Sequence, residues 1–454
     1  MIKRQLSAIK QMASNAELKE EFEKITIEGV TTDSRNVRKG NLFVPIIGEK
    51  FNGHDFVEKA FENGAHASLW SRSVPNPPQD KPLIIVDDTL AALQQIASHY
   101  LLAVNPKVVG ITGSNGKTTT KDMIASVVGT RYRVHKTKGN FNNHIGLPLT
   151  ILDMPEDTEV AVLEMGMNAK GEIELLSSIA RPDIAVITNI GDAHLQDLGS
   201  REGIAEAKLE IIKGLKENGT LIYHGDEPLL KKDYSCQTVT FGEKKNNNLF
   251  PTSMELLGEG TRFRANIAEQ PFFIPVLGRH NVLNALAAIA VGELLKIGLN
   301  RIEKGLRDLK ITNMRLELIQ TKNGLSIIND AYNANPTAMK AAIDLVHGLK
   351  GYSQKILVLG DMLELGEREV ELHQEVGMML SDQEIDHLFT FGKLGKEIAV
   401  GAKKVIDERK IHVFFDKDEL IHELKKAAGS KDLVLVKASR GMKLEDVVHA
   451  LMEE

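Results

Sequence analysis

The chain has 454 residues, 42% hydrophobic and 26% charged, with a net charge of −6. That balance describes a folded protein with room for about two to four domains, and it excludes disordered and fibrous classes. No tract concentrates either sign of charge, which argues against a nucleic-acid partner or an anionic membrane surface.

The opening stretch, MIKRQLSAIKQMASNAELKEEF, has basic residues but no continuous apolar run behind them, so it does not read as a secretion signal. No segment approaches the roughly 18 apolar residues that cross a bilayer. The single cysteine, Cys236, has no partner for an internal disulfide and fits a reducing compartment. A soluble, cytoplasmic protein without membrane insertion is expected. Short apolar runs alternate with segments of helical period, which predicts an α/β fold with parallel sheets and crossover helices. Pro75 to Pro82 reads as a surface loop, and a first break falls at Asn105-Pro106.

After that break, Lys107 to Thr112 reads as a strand, Gly113-Ser114-Asn115-Gly116-Lys117-Thr118-Thr119-Thr120 as a glycine loop and Lys121 to Val128 as a helix. Glycines let the backbone N–H groups of such a loop converge, and the helix start adds positive potential for phosphate oxygens. Lys117 would neutralise the β- and γ-phosphates, and Thr118 would place its hydroxyl on Mg²⁺. The spacing departs from the general phosphate-loop rule, because Ile stands at 111 and glycines stand at 110 and 113.

Ligands of open parallel sheets bind beyond the carboxyl ends of the strands. Val160 to Leu163 ends in Glu164, and Ile184 to Ile187 ends in Thr188-Asn189, followed by Gly191 and His194. A carboxylate and an imidazole beside a phosphate loop suit a divalent ion. In the helical stretch Ser200 to Leu215, Lys208 shares the apolar stripe of Ile204, Ile211, Ile212 and Leu215. Either its stem snorkels to water or to a nearby Glu, or burial makes the amine neutral and able to react with CO₂ to form a carbamate. A second break falls near Lys310 to Asn313, after the helical stretch Arg301 to Leu309. Five strand-like runs follow: Leu325 to Ile328, Ile356 to Leu359, Leu388 to Phe391, Val413 to Phe415 and Leu433 to Val436.

Taken together, these strings resemble the Mur ligase family, ATP-dependent amide-forming enzymes of peptidoglycan precursor synthesis. The resemblance runs nearly end to end. It includes VGITGSNGKTTT at 109–120, GNFNNHIGLPLT at 139–150, VLEMGMNAKGEI at 162–173, TNIGDAHLQDLGS at 188–200, EAKLEI at 206–211 and GRHNVLNALAA at 278–288. It continues in NDAYNANPTAM at 329–339, LGDMLELG at 359–366 and VKASRGMKLE at 436–445. The segment at 31–65, beginning TTDSR, is similar to the uridine-nucleotide domain of the later members of the family. Phe391 to Gly395 lacks the Asp-Asn-Pro-Arg signature of the members that add the third amino acid. The strings Ala-Tyr-Asn-Ala-Asn-Pro at 331–336 and Gly-Asp-Met-Leu-Glu-Leu-Gly at 360–366 resemble the dipeptide-adding branch of the family, which implies ATP, a UDP-linked muramyl-tripeptide and D-alanyl-D-alanine as small-molecule substrates.

The resemblance implies three domains: 1–106 binding the UDP substrate, 107–312 a central phosphate-loop parallel-sheet ATPase domain, and 313–454 a Rossmann-like ligase domain. They would close around ATP and substrate, in a monomer. It implies that Gly113 to Thr119 hold the ATP phosphates, and that Thr118, Glu164, His194 and carbamylated Lys208 contact or support Mg²⁺, with Lys117, Lys208 and His194 catalytic. Asn281, Arg315 and Asp330 resemble further nucleotide contacts, with Tyr332, Asn333 and Asn335 close by. Asp33, Ser34 and Arg35 resemble the uridine-nucleotide site, and Asn142 and Asn143 contacts to the muramyl-peptide. Lys437, Ser439 and Arg440 lie where the last domain would meet the peptide end. Two other readings are opposed by particular residues. A phosphate-loop kinase or ATPase leaves the first domain without work, and a non-enzymatic nucleotide module leaves Glu164, His194 and Lys208 unexplained.

Overall fold

The computed structural model describes residues 1–192 and 195–453. The chain gathers into two compact units, each built from separate stretches of sequence. The first comprises Met1–Thr112, Arg131–Ala185 and Glu210–Leu221; the second comprises Gly113–Thr130, Val186–Leu209 and Ile222–Glu454.

In the first unit, Val30–Thr31, Leu42–Phe43, Ala67–Ser71 and Leu83–Val86 form a parallel four-stranded sheet in that order. Phe43, Val57, Ala60 and Trp70 bury the face that the helix Val57–Glu62 covers. The helix Thr89–Val104 begins where the Asp88 carboxylate accepts the Ala91 N–H at 2.7 Å. It ends at Asn105 in the left-handed region (φ 52°), one residue before Pro106, which cannot continue it. A second parallel group runs Val134–Lys136, Val160–Glu164, Lys107–Thr112. Burial of all five residues of Val160–Glu164 explains the unbroken apolar run before Glu164.

The second unit carries the helices Lys117–Gly129, Arg279–Leu294 and Leu299–Arg307, and a six-stranded sheet in its C-terminal part. The strand order there is Glu317–Gln320, Ser326–Asp330, Leu433–Lys437, Lys355–Gly360, His387–Phe391, Ile411–Phe414. The first pair is antiparallel and the rest are parallel. Separate apolar cores cover the two faces, one around Ile343, Leu357 and Leu435 and the other around Val358, Leu420 and Val436. This is the doubly wound arrangement expected for the tail, and Asp330, Gly360, Phe391 and Lys437 end their strands at one carboxyl edge.

Four features differ from the sequence reading. An antiparallel sheet of Pro251–Leu257, Gly260–Ala265 and Phe272–Ile274 stands where no strand was expected, because its first strand is largely exposed and has no apolar run. The edge strand Glu317–Gln320 is half exposed and equally quiet in sequence. The helix after the glycine loop begins at Lys117 rather than Lys121. The helix carrying Lys208 ends at Leu209 and continues as a 3₁₀ turn, Glu210–Gly214, in which the Ser177 hydroxyl donates to the Ile211 carbonyl at 2.5 Å. No helix among the described residues is long and apolar enough to cross a membrane.

Candidate active site

In the second unit, Gly116 caps the helix Lys117–Gly129 with φ 78°, a conformation that an L side chain adopts only at a cost. Its neighbour explains why no side chain fits: a Cβ there would lie 2.6 Å from Asn284 Oδ1. Gly113 is more constrained still, since a Cβ would fall 1.8 Å from Thr188 Oγ1. The end of the strand Ile184–Ile187 thus sets the shape of the loop. Asn189 receives the Ser114 N–H on its carbonyl (3.0 Å) and the Asn115 N–H on its side chain (2.9 Å). Thr188 Oγ1 donates to the Asn115 carbonyl at 2.6 Å. Lys117 Nζ donates to the carbonyls of Gly113 (2.7 Å) and Ser114 (3.2 Å), so its charge is held on the loop itself. Thr118 is buried at the helix start, with Thr119 behind it.

Lys208 is 1% exposed. Burial, reinforced by the Lys117 charge, drives its pKa well below the ordinary lysine value. Of the two readings left open by the sequence, the structure removes snorkelling to water, because the whole side chain is enclosed.

Asn281 is buried, and its amide donates to the Leu277 carbonyl (2.8 Å) while its oxygen accepts from Asn284 (3.0 Å). His280 beside it is pushed down to about 4 by burial, with Lys437 adding to the effect and Asp330 opposing it. Arg315 sits between two residues in the left-handed region, Met314 (φ 62°) and Leu316 (φ 51°), a conformation that costs free energy for non-glycine residues. Its guanidinium lies 4.1 Å above the Tyr332 ring, and its buried Nε has no hydrogen-bond partner among the described residues. An unpaired buried donor beside an aromatic ring is a ready anion contact. Asp330 pairs with Lys437, accepts the Leu316 N–H at 3.2 Å, and Lys437 also donates to the Asn333 carbonyl at 2.9 Å. Ser439 accepts the Leu363 N–H at 2.9 Å and is buried, whereas Arg440 is exposed and pairs with Glu445. Asn335 caps the helix Pro336–Gly348 and pairs with Asn115.

In the first unit, Asp33 caps a 3₁₀ turn, Ser34–Asn36, and takes a bidentate bond from Arg35 (2.9 and 2.9 Å) as well as one from Asn36 (3.0 Å). The hydrogen bond from the Arg35 side chain is the largest of the causes that hold its carboxyl at about 2. Glu164 is buried, its N–H donates to Thr137 Oγ1 (2.9 Å), and its carboxylate accepts from Asn142 Nδ2 (2.9 Å). Asn143 instead caps the turn before the helix Gly146–Leu152 by accepting the Gly146 N–H at 2.8 Å.

His194 lies outside the described residues. Among those residues no group of three or more His, Cys, Asp or Glu is placed to hold a metal ion. The sequence reading placed Asn189 at the ligand edge of its strand without seeing that it shapes the loop, and it missed Asn284. Asn284 had a signal, being a polar residue one turn after Asn281 and the last before the apolar run Ala285–Val291.

Family models match three successive segments: "Mur ligase family, catalytic domain" over residues 26–101, "Mur ligase middle domain" over 111–292 and "Mur ligase, glutamate ligase domain" over 314–440. The chain is 58% identical over 453 residues to the UDP-N-acetylmuramoyl-tripeptide--D-alanyl-D-alanine ligase of Bacillus subtilis, covering 100% of this chain and 99% of the relative. It is 36% identical to the ligase of the same name from Escherichia coli, covering 94% of each. Among solved structures it is similar to MurF from Acinetobacter baumannii, with a TM-score of 0.90, 31% identity and complete coverage of both chains. It is also similar to MurF ligase from Thermotoga maritima in complex with ADP, with a TM-score of 0.84, 32% identity and coverage of 94% and 97%.

Proposed function

The chain belongs to the Mur ligase family, and we propose that it catalyses the reaction its full-length relatives are named for. It is an ATP-dependent ligase that adds D-alanyl-D-alanine to UDP-N-acetylmuramoyl-tripeptide in peptidoglycan precursor synthesis. The observation that carries this reading is the 58% identity that extends over the whole chain.

A carboxylate resists attack by an amine because its charge is delocalised and oxide is a poor leaving group. ATP removes both obstacles. A carboxylate oxygen of the tripeptide terminus attacks the γ-phosphorus, ADP departs, and an acyl phosphate forms. The free amine of D-alanyl-D-alanine then adds to the carbonyl carbon, loses a proton, and the tetrahedral intermediate expels phosphate. The products are the UDP-linked pentapeptide, ADP and phosphate. The chain's work is to orient the reactants and to offset charge on the transferring phosphoryl group.

The residue roles are proposals from the family pattern and the geometry above. Gly113, Ser114, Asn115, Gly116, Lys117, Thr118 and Thr119 hold the phosphates, with Lys117 swinging from its loop carbonyls to phosphate oxygens. Asn281, Arg315 and Asp330 take the rest of the nucleotide; the unpaired Nε of Arg315 supports its share. By the family pattern, the residues that would hold Mg²⁺ are Thr118, Glu164 and a carbamate on Lys208, with His194 in support; hydroxyl and carboxylate oxygens suit that ion. Such an ion, when bound, neutralises charge on the phosphoryl oxygens. Burial of Lys208, reinforced by the Lys117 charge, favours the neutral amine that carbamylation requires. Asp33, Ser34 and Arg35 bind the uridine nucleotide, and Asn142 and Asn143 the muramyl-peptide. Tyr332, Asn333, Asn335, Lys437, Ser439 and Arg440 line the peptide end. The domain boundaries 1–106, 107–312 and 313–454, a monomeric state and a cytoplasmic location complete the reading.

Mass spectrometry of products tests it. Purified protein with Mg-ATP, D-alanyl-D-alanine and a UDP-linked tripeptide ending in lysine or diaminopimelate gives a UDP-linked pentapeptide with at least one acceptor. ADP without pentapeptide overturns the substrate assignment.

A further inference from the structure

The phosphate loop is tied to the C-terminal part of its own unit by a side-chain amide pair, a role beyond the ligand contacts proposed for the two residues. Asn335 Nδ2 donates to Asn115 Oδ1 at 2.8 Å, and Asn115 Nδ2 returns a bond to Asn335 Oδ1 at 3.3 Å. The residues lie 220 positions apart in sequence. Each is fixed independently. The Asn115 backbone is held on both sides by Thr188 and Asn189. Asn335 is 3% exposed, and its Oδ1 also accepts the Ala338 N–H at 2.9 Å as cap of the helix Pro336–Gly348. A second bond runs alongside, from Thr337 Oγ1 to Asp192 at 2.6 Å. The gap is tight, since a Cβ on Gly191 would lie 3.1 Å from Asn115 Nδ2 and 3.3 Å from Thr337 Oγ1.

We propose that the Asn115–Asn335 amide pair registers the C-terminal part of the unit on the phosphate loop, which makes Asn335 a positioning residue for phosphoryl transfer. Asn335 acts through Asn115 and not on the phosphate. Oδ1 serves both the cap and the longer return bond, whereas Nδ2 serves the shorter bond of the pair alone, so removing that donor weakens the pair and spares the cap. An Asp at 335 keeps the cap oxygen and the shape but presents no donor to Asn115 Oδ1. The proposal rests on the ligase reading for its kinetic consequence but not for its structural one.

Two measurements on the full-length chain test it. In Asn335→Asp, kcat for pentapeptide falls roughly tenfold, the scale of one lost amide hydrogen bond. KM for ATP stays within about twofold and the melting temperature is unchanged, because the cap survives. Independently of turnover, hydrogen exchange with Mg-ADP shows protection of the 113–119 loop in both proteins, and protection spreading to the start of the helix Pro336–Gly348 in the unsubstituted protein only. Equal spreading in both proteins, unchanged kcat, or a fall in melting temperature that accounts for the loss overturns the proposal. If the unsubstituted protein makes no pentapeptide, the ligase reading fails, and the exchange result still decides the role of the pair.

Discussion

Lys208 combines full burial with a depressed pKa, and both have measurable consequences. Its pKa in the folded chain lies below the ordinary lysine value of 10.5, so across the window between the two values the unfolded chain binds the extra proton. Stability therefore rises with pH through that window and is lost as pH falls through it. In CO₂-free buffer we expect Lys208→Met to melt at a higher temperature than the unsubstituted protein near pH 6, with the gain shrinking as pH approaches 10. The same replacement is expected to abolish ligation if Lys208 carries the proposed carbamate. Lys208→Ala is expected to lose most activity and to regain part of it with formate or acetate, small carboxylates that replace the carbamate; absence of any rescue would remove the carbamate role. Gly113 gives a second prediction at this scale. Gly113→Ala forces a methyl group against Thr188 Oγ1, and ADP affinity measured by calorimetry is expected to fall by at least roughly tenfold. Cys236, half-buried and outside every motif, is expected to tolerate Cys236→Ser with unchanged kcat, since no step calls for a protein nucleophile.

The parallel strands were legible as elements because burial on both faces makes them near-continuous apolar runs. Ile184–Ile187 emerges with the boundaries read from sequence, and the C-terminal strands agree to within a few residues. The antiparallel sheet at 251–274 was not legible, because a largely exposed strand carries its register in backbone pairing rather than in apolar side chains. Loop-shaping contacts were equally hidden. Nothing local in Thr188, Asn189 or Asn284 says that they meet Gly113 and Gly116, since those meetings are made by the fold. Asp361 is a similar case and carries an element-scale prediction. From the end of the strand Lys355–Gly360 its carboxylate accepts the N–H groups of Leu394 (3.0 Å) and Gly395 (2.6 Å) at the start of the helix Gly395–Ala402. Asp361→Ala leaves both donors without that acceptor and is expected to lower unfolding stability by about 1–2 kcal/mol. Asp361→Asn keeps one acceptor oxygen and should lose less. Urea unfolding measures both.

At the scale of the whole molecule, the chain's compact units do not follow its family segments. Gly113–Thr130 joins the second unit while the strand that leads into it belongs to the first. The three family segments follow one another in sequence, whereas each compact unit is assembled from several stretches. Sequence reading recovers the order of segments and cannot recover which stretches pack together. The chemistry asks for a particular order of events whatever the packing. If the tripeptide carboxylate is phosphorylated before the dipeptide amine attacks, then ATP and UDP-N-acetylmuramoyl-tripeptide alone form ADP and acyl phosphate reversibly. ATP labelled with ¹⁸O in the β–γ bridge should then scramble that label into the β-nonbridging positions in the presence of the tripeptide and without D-alanyl-D-alanine. A kinase or simple ATPase would release ADP with no such dependence on the tripeptide. Scrambling that requires the tripeptide, and that gives way to net pentapeptide when the dipeptide is added, fixes activation of the carboxylate as the first chemical step. Absence of scrambling, together with pentapeptide formation when all three substrates are present, would mean that the carboxylate is phosphorylated only once the amine is in place.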